Sequence, residues 1–274
     1  MKFLIDHDLH IHSQLSLCSS DPQQTPEAIL EYARHNKFKT ICLTDHYWDD
    51  AVEGASNWYK QQNFDHIKQS LPLPQSEDCR FLFGCETDMN RFLKIGIPKE
   101  RFDDFDFIIV PTTHLHMPGF TYPPELDTIE DKTRLYIERF EAFLQADLPF
   151  EKVGIAHLTC GLIFNNGKDD RYVEVLDGVS DEKFYELFKK CSELGCGIEL
   201  NISLSALKKE EIKDSIFRPY RIAKDCGCKF YLGSDSHHLG SDAFHPSGLE
   251  HSMERFNIMV DTLELTEEDK FILK

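Results

Sequence analysis

The chain has 274 residues, of which 41% are hydrophobic, and carries a formal net charge of −18. This length and hydrophobic content are ordinary for one α/β barrel with a large core. The acidic charge disfavours binding to nucleic acid or anionic lipid, because like charges repel. Bound divalent cations would reverse the sign of that charge locally.

The apolar segments and the cysteines indicate in which cellular compartment the protein is found. Every apolar run is far shorter than the ~20 residues of a membrane span, and acidic and histidine residues follow Met1 too closely for a signal peptide. The nine cysteines are odd in number and scattered, which is typical of reduced thiols rather than a disulfide framework. We therefore expect a cytoplasmic protein that does not bind membranes.

Short apolar runs and helical patterns alternate along the chain. Strands are predicted at residues 3–5, 40–44, 80–84, 105–110, 152–156, 197–200 and 229–233. Helices are predicted at residues 25–37, 128–145, 180–195, 209–226 and 247–260, from apolar spacing and capping residues. This alternation favours a parallel sheet with right-handed crossovers. We predict a single domain over residues 1–274, a (β/α)7 barrel, with an open doubly wound sheet as the alternative.

Two segments do not fit the repeating unit. Residues 47–78 and 117–128 contain neither a clear strand nor a clear helix pattern. We predict that both are insertions on the side where the carboxyl ends of the strands meet. Loops at that end carry the function of such barrels, so these insertions would form walls of a substrate site.

Histidine and acidic residues follow nearly every predicted strand. They are Asp8, His10 and His12; Asp45 and His46; Glu86; His114 and His116; His157; and Asp235, His237 and His238, with Asn201 after the sixth strand. Because His10 and His12 are two residues apart, an extended backbone points both imidazoles to one side. One histidine after a strand is usually an ordinary loop residue, but repetition at nearly every strand end indicates convergence at one mouth of the barrel.

Such a ring of histidines and carboxylates suits Zn, Mn or Fe. The potential ligands exceed the needs of one ion, so we expect two or three divalent metals. Asp8 and Asp45 each lie within two residues of a histidine. We predict that their carboxylates accept hydrogen bonds that fix the imidazole tautomers.

These residues carry a family resemblance. The segments "DLHIHS", "TDH", "GCE", "TTH", "IAH" and "SDSH" stand in the order found in the PHP (polymerase and histidinol phosphatase) family, and the resemblance runs from residue 6 to residue 238. It implies a distorted (β/α)7 barrel, a cluster of up to three metals and, in most members, phosphoesterase activity. The metal ligands implied by these motifs are His10, His12, His46, Glu86, His114, His157, Asp235 and His237, with Glu86 and Asp235 each bridging two metals.

The first loop leaves one ligand with two candidates. Counting back from Thr25-Pro26 places Asp21 on an aspartate that many relatives carry, whereas counting forward from His12 places Cys18 where some relatives have histidine. We predict that Asp21 completes the ligand set, because a helix start is a firmer reference for counting than the middle of a loop. Cys18 would then pack as a small apolar residue.

The expected reaction follows from the metals. A hydroxide that bridges two of them would attack the phosphorus of a small-molecule phosphate ester, with Glu86 and Asp235 as catalytic metal-bridging residues. His238 or His116 could protonate the leaving group, although a position in solvent or behind the ligands explains each residue as well. No single arginine or lysine stands out as the phosphate-binding group.

Other functions remain open from the sequence. The same centre could hydrolyse another bond, such as an amide, or act on nucleotides or DNA as a phosphodiesterase; a metal-binding regulator without activity is a further alternative. The acidic charge makes nucleic acid an improbable partner. The first loop, "HSQLSLCSSD", also departs from the "HTxxCxHG" pattern of histidinol phosphatases in the family, which puts histidinol phosphate in doubt as the substrate and leaves hydrolysis of a phosphate ester as the expected reaction.

Overall fold

The computed structural model describes residues 1–19, 21–238 and 252–273. The strands are β1 (His7–Ile11), β2 (Thr40–Leu43), β3 (His46–Tyr47), β4 (Arg80–Thr87), β5 (Phe107–Pro111), β6 (Val153–Ala156), β7 (Gly197–Leu200) and β8 (Lys229–Leu232). Seven of them form a parallel sheet in the order β1-β2-β4-β5-β6-β7-β8, and the short β3 pairs with the end of β4.

The sheet curves until its two outer strands meet, so it is nearly closed into a barrel. The backbone N–H of Asp235 donates to the carbonyl of His10 over 2.7 Å, and that of His12 donates to Ser236 over 3.1 Å. These bonds join the carboxyl ends of β1 and β8. The prediction of a (β/α)7 barrel is therefore confirmed, and the open doubly wound sheet is wrong.

Helices cover the outside of the barrel. They are α1 (Pro26–His35), α2 (Phe64–Ile67), α3 (Ile129–Gln145), α4 (Tyr172–Asp177), α5 (Asp181–Leu194), α6 (Leu204–Leu207), α7 (Glu210–Asp225) and α8 (Ser252–Thr262). Alternation along β5 separates two cores: Ile108 and Val110 pack in the larger core with the helices, whereas Phe107 and Ile109 belong to a smaller cluster inside the barrel. Within the described residues, every helix is too short or too polar to cross a membrane.

The first strand begins later than predicted. It covers His7–Ile11 rather than residues 3–5, because the amino-terminal segment pairs with the carboxyl-terminal one: the N–H of Phe3 donates to the carbonyl of Leu265 over 3.2 Å. The short elements β3, α2, α4 and α6 were not predicted. The helix expected at 247–260 appears as α8, and residues 247–251 lie outside the described residues.

The two predicted insertions both reach the mouth of the barrel. Residues 47–78 hold the end of β3 and all of α2, and they supply Trp58 and Tyr59 to the cavity at that mouth. Residues 117–128 supply Met117. Their interpretation as substrate walls remains a prediction.

A fully buried arginine ties helix α3 to this end of the barrel. Arg139 donates to the carbonyls of Met89, Pro111, Thr112 and Thr121 and to the Asp88 carboxylate, over 2.7–3.3 Å. A buried charge is tolerated only when such partners replace water. Arg139 therefore fixes the strand ends from which the candidate site is built.

We expect Arg139→Met to lower the free energy of unfolding by about 3–5 kcal/mol, because it leaves Asp88 as an uncompensated buried charge. The matched control is Arg134→Met on the same helix, whose side chain is half exposed and pairs with Asp131 and Glu138; that change should cost at most about 0.5 kcal/mol. Urea unfolding measures both, and equal effects would contradict this role of Arg139.

Candidate metal centre

The carboxylate of Glu86, at the end of β4, lies among imidazoles. Its Oε2 atom is 2.9 Å from Nδ1 of His46 and 3.4 Å from Nε2 of His12, and its Oε1 atom is 3.2 Å from Nε2 of His157. His10 and His12 point to one side, as their spacing predicts, with their Nε2 atoms 3.1 Å apart. Glu86 therefore contacts three of the imidazoles predicted as metal ligands, and its bridging role stays a prediction.

Three groups of side chains bring their donor atoms within 4.8 Å of one another, a separation suited to holding a metal ion. The groups are His10, His12 and Glu86; Glu86, His114 and His157; and His12, His46 and His237. Asp235 joins the first group, since its Oδ1 atom lies 3.2 Å from Nε2 of His12 and 3.4 Å from Nε2 of His10. We call these eight residues the centre. They are eight of the nine predicted ligands, and the ninth is Asp21.

Two residues of the centre have backbone conformations that L-residues rarely adopt. The φ angle is 30° at His157 and 52° at Asp235. Such conformations cost of order 1–3 kcal/mol and persist where the surroundings impose them, often at functional sites. Both residues follow strands, β6 and β8, and both side chains are predicted metal ligands of the centre.

Glu199, on β7, is a supporting residue that the sequence analysis missed. Its Oε1 atom is 2.6 Å from Nδ1 of His10, and its Oε2 atom accepts the backbone N–H of His157 over 2.6 Å. One carboxylate thus orients two predicted ligands. The available signal was an acidic residue inside the apolar run "GIEL".

Asp88 plays the corresponding part for His114. Its Oδ2 atom is 2.9 Å from Nδ1 of His114, while its Oδ1 atom accepts from Arg139 over 3.1 Å. The sequence analysis missed this residue too, although Asp88 stands two positions after Glu86. An oriented imidazole with a basic free nitrogen is what metal ligation requires.

The carboxylates of Asp8 and Asp45 hold the backbone and hydroxyl groups rather than an imidazole, which corrects the predicted contact. Asp8 accepts the N–H groups of His10 and Ser234 over 3.2 and 2.9 Å. Asp45 accepts from the N–H and hydroxyl of Ser13 and from the hydroxyl of Ser16. Ser16 in turn contacts Nδ1 of His12 over 3.0 Å. Both carboxylates therefore hold the backbone and hydroxyl groups next to the predicted ligands, which fixes the ends of the strands.

The first loop brings Cys18 to the centre and turns Asp21 to its own backbone. The Asp21 carboxylate accepts the N–H of Gln23 over 2.8 Å, and its predicted ligand role stays a prediction. Cys18 lines the cavity above the centre; the residue as a whole is exposed, but its thiol lies close to the imidazoles of His46 and His237. Burial raises the pKa of the Cys18 thiol, but contacts with His46 and His237 outweigh it and lower that pKa to about 6.

A cavity of about 460 Å³ opens above the centre, and we call it the histidine cavity. Besides residues of the centre, its walls are formed by Cys18, Trp58, Tyr59, His116, Met117 and Leu162. Burial and neighbouring His114 lower the pKa of His116 to about 3. His238, predicted as a proton donor, is absent from the described lining; its backbone N–H and carbonyl bond to the Ser236 hydroxyl.

A second cavity, of about 180 Å³, shares His157 and Asp235 with the first. We call it the arginine cavity, because buried Arg255 lines it. Arg255 donates to Oδ1 of Asn201 over 3.1 Å and to the carbonyl of Ser234 over 2.6 Å. Its Nε atom and the Asn201 amide nitrogen have no hydrogen-bond partner among the described residues. Both are donors, so the arginine cavity suits an oxyanion.

The residues of the centre fit divalent metals. The Oε2 atom of Glu86 and the Nδ1 atom of His46 are buried without a satisfying hydrogen bond, and a buried carboxylate is costly without a compensating cation. Against the effect of burial, Glu199, Asp235 and Glu86 raise the pKa of His10 well above its ordinary value. The carboxylates thus demand positive charge, and imidazole with carboxylate is the donor set of Zn, Mn and Fe.

Comparisons with known proteins agree with this geometry. The histidinol phosphate phosphatase of Lactococcus lactis subsp. lactis, solved with zinc, L-histidinol and phosphate, superposes with a TM-score of 0.58 at 16% identity, covering 95% of this chain and 94% of that one. A candidate histidinol phosphatase from Listeria monocytogenes superposes with a TM-score of 0.55 at 17% identity, covering 84% and 95%. These likenesses show the fold.

The sequence itself settles the family. No curated protein sequence matches the chain, but the PHP domain matches residues 8–203, well over half of it. That span includes five of the six motifs and six of the eight residues of the centre, from His10 to His157. The chain belongs to the PHP domain family.

Proposed function

We propose that the protein is a metal-dependent phosphatase of small-molecule phosphate esters. The observation that carries this proposal is the convergence of six imidazoles and two carboxylates at the mouth of the barrel, where four of the imidazoles and both carboxylates line the histidine cavity. A cavity of about 460 Å³ matches the size of small-molecule sites. Membership of the PHP domain family supports the same chemistry.

The centre would hold two or three divalent metals, Zn, Mn or Fe, through its imidazole and carboxylate groups. When bound, such metals neutralise charge on a phosphoryl group and lower the pKa of water to about 7. Glu199 and Asp88 would keep His10 and His114 oriented for ligation. His157 and Asp235, which line both cavities, would place the phosphate between the leaving group on one side and Arg255 on the other.

The histidine cavity would take the organic part of the ester. Trp58 packs edge-on against His46, with ring centroids 5.1 Å apart, and offers an apolar wall beside the centre. His116 lines that space and, with its lowered pKa, would meet the leaving oxygen as a neutral imidazole. The predicted proton transfer by His238 has less support, since that residue lines neither cavity.

The alternative functions have no specific observation in their favour. Hydrolysis of an amide would use the same centre but does not explain the oxyanion donors of Arg255 and Asn201. A DNA phosphodiesterase would meet a net charge of −18. A cytoplasmic location and a single domain over residues 1–274 stay predictions from the sequence.

With Zn or Mn supplied, we expect the protein to hydrolyse phosphate monoesters of small molecules and to leave amides and DNA intact. Asp235→Asn should lower that activity by about 10²–10³-fold, because a charge that stabilises the transition state is lost; asparagine tolerates the left-handed backbone found there. The exposed Asp225→Asn is the matched control. Hydrolysis of amides alone, or normal activity in Asp235→Asn with the circular dichroism spectrum retained, would contradict the proposal.

The purified protein should carry about two or three transition-metal ions per chain, since its ligands exceed the roughly four positions of a single zinc site. Elemental analysis after growth with ample Zn and Mn measures this. His10→Ala should lose metal, whereas His35→Ala, an exposed histidine on α1, should not. At most one ion per chain in the unmodified protein would count against the cluster.

Arg255→Lys should weaken inhibition by inorganic phosphate by roughly 10–100-fold, because it removes forked donors whose charged hydrogen bonds contribute about 1.5–3 kcal/mol. Arg171→Lys is the control: Arg171 is exposed and pairs with Asp169. Steady-state inhibition constants provide the readout. An unchanged constant together with a lower unfolding midpoint would assign Arg255 a purely structural role.

A further inference from the structure

We propose that Cys18 is a metal ligand of the centre, which gives the position formed by His46 and His237 a thiolate donor and a preference for zinc. This inference rests on the proposed metal-dependent function and specifies one of its ligands. It replaces Asp21, the ligand predicted from the sequence, by a residue of different chemistry.

The Cys18 thiol is in the right place. It contacts the imidazoles of both His46 and His237, and it lines the histidine cavity together with them. These two imidazoles and that of His12 form one of the three groups with donor atoms within 4.8 Å. The thiol therefore lies beside two members of one of these groups.

The loop around Cys18 is anchored on both sides. The N–H of Leu17 donates to Oε1 of Gln62 over 3.0 Å, and the hydroxyl of Ser19 donates to the carbonyl of His237 over 3.0 Å. Two residues before Leu17, the carbonyl of Leu15 accepts a hydrogen bond from Nε2 of His66 over 2.7 Å. Residues 15–19 are therefore bonded to the insertion at 47–78 and to the segment that follows β8. These bonds hold the thiol against the centre.

An independent observation points to a ligand at this position. His46 is 7% exposed, and its Nδ1 atom has no satisfying hydrogen bond among the described residues. The nitrogen lies 2.9 Å from Oε2 of Glu86, another buried atom without a satisfied bond. Buried polar atoms of native proteins are normally satisfied, and a cation bound at His46 beside the Cys18 thiol would satisfy the imidazole nitrogen and the Glu86 oxygen.

The donor type predicts which metal is preferred. A carboxylate such as that of Asp21 would suit Mn as well as Zn, whereas a thiolate favours Zn and disfavours Mn. Oδ1 of Asp21 accepts the N–H of Gln23 within its own loop over 2.8 Å. We therefore expect the position at Cys18, His46 and His237 to select zinc, or cobalt as its spectroscopic substitute.

Cobalt substitution tests this inference. We expect the cobalt-loaded protein to show a near-ultraviolet sulfur-to-cobalt charge-transfer band that Cys18→Ser abolishes, together with a loss of about one metal ion per chain. Asp21→Asn should keep both the band and the metal. Cys160→Ser is the matched cysteine control, because the Cys160 thiol also lies near a predicted ligand, 3.7 Å from Nδ1 of His157; it should keep the band as well.

Each outcome has one meaning. Cobalt binding without a charge-transfer band, a band that survives Cys18→Ser, or metal loss in Asp21→Asn overturns the Cys18 assignment and leaves the proposed function standing. Failure of the unmodified protein to bind any metal overturns both. Alkylation of the unmodified protein gives a second measurement that needs no variant: zinc should protect Cys18 from iodoacetamide, as measured by peptide mass, and modification at an unchanged rate would contradict ligation.

Discussion

The burial of the Glu86 carboxylate is the constraint on which the rest of the centre depends. Glu86 is 1% exposed, and its two oxygens face the imidazoles of His46 and His157 at 2.9 and 3.2 Å. A carboxylate in such surroundings is tolerated only if positive charge is supplied. Imidazoles supply it when they carry protons, and divalent cations supply it when the imidazoles are neutral. A barrel mouth built in this way therefore requires positive charge, from protonated imidazoles or from bound cations.

That demand explains why the supporting residues are themselves charged and buried. Glu199 orients His10, and Asp88 orients His114 while Arg139 compensates it. His10 and His114 thus each have a buried carboxylate beside Nδ1, which favours one imidazole tautomer. Hydrogen-bond partners of metal-ligating side chains alter metal affinity by about 10–100-fold. Glu199 on β7, Asp88 directly after β4 and Arg139 on α3 therefore support the centre without belonging to it.

The sequence was enough to predict site residues whose position follows from side-chain alternation or from the repeated strand ends. It was not enough for residues that reach the centre through contacts between distant parts of the chain. Side-chain alternation is enough to place His10 beside His12, and repeated strand ends are enough to bring Glu86 and His157 to them. Glu199 was missed because an apolar strand gives no reason to expect a buried acid. Arg255 was missed because its helix follows the last motif and reaches the centre only through folding. Loop conformation has no period, so counting residues favoured Asp21 where the structure brings Cys18 inward.

The floor and the walls of the histidine cavity come from different parts of the chain, which bears on substrate choice. The floor is made of residues at the carboxyl ends of the strands, which are part of the barrel itself. The walls come from the insertion at 47–78, with Trp58 and Tyr59, and from Met117. The insertion also buttresses the first loop through Gln62 and His66. A change in that one segment would alter both the shape offered to the leaving group and the position of the Cys18 thiol. If the proposed function and the Cys18 site hold, substrate selection and metal selection would be coupled through the same loop contacts.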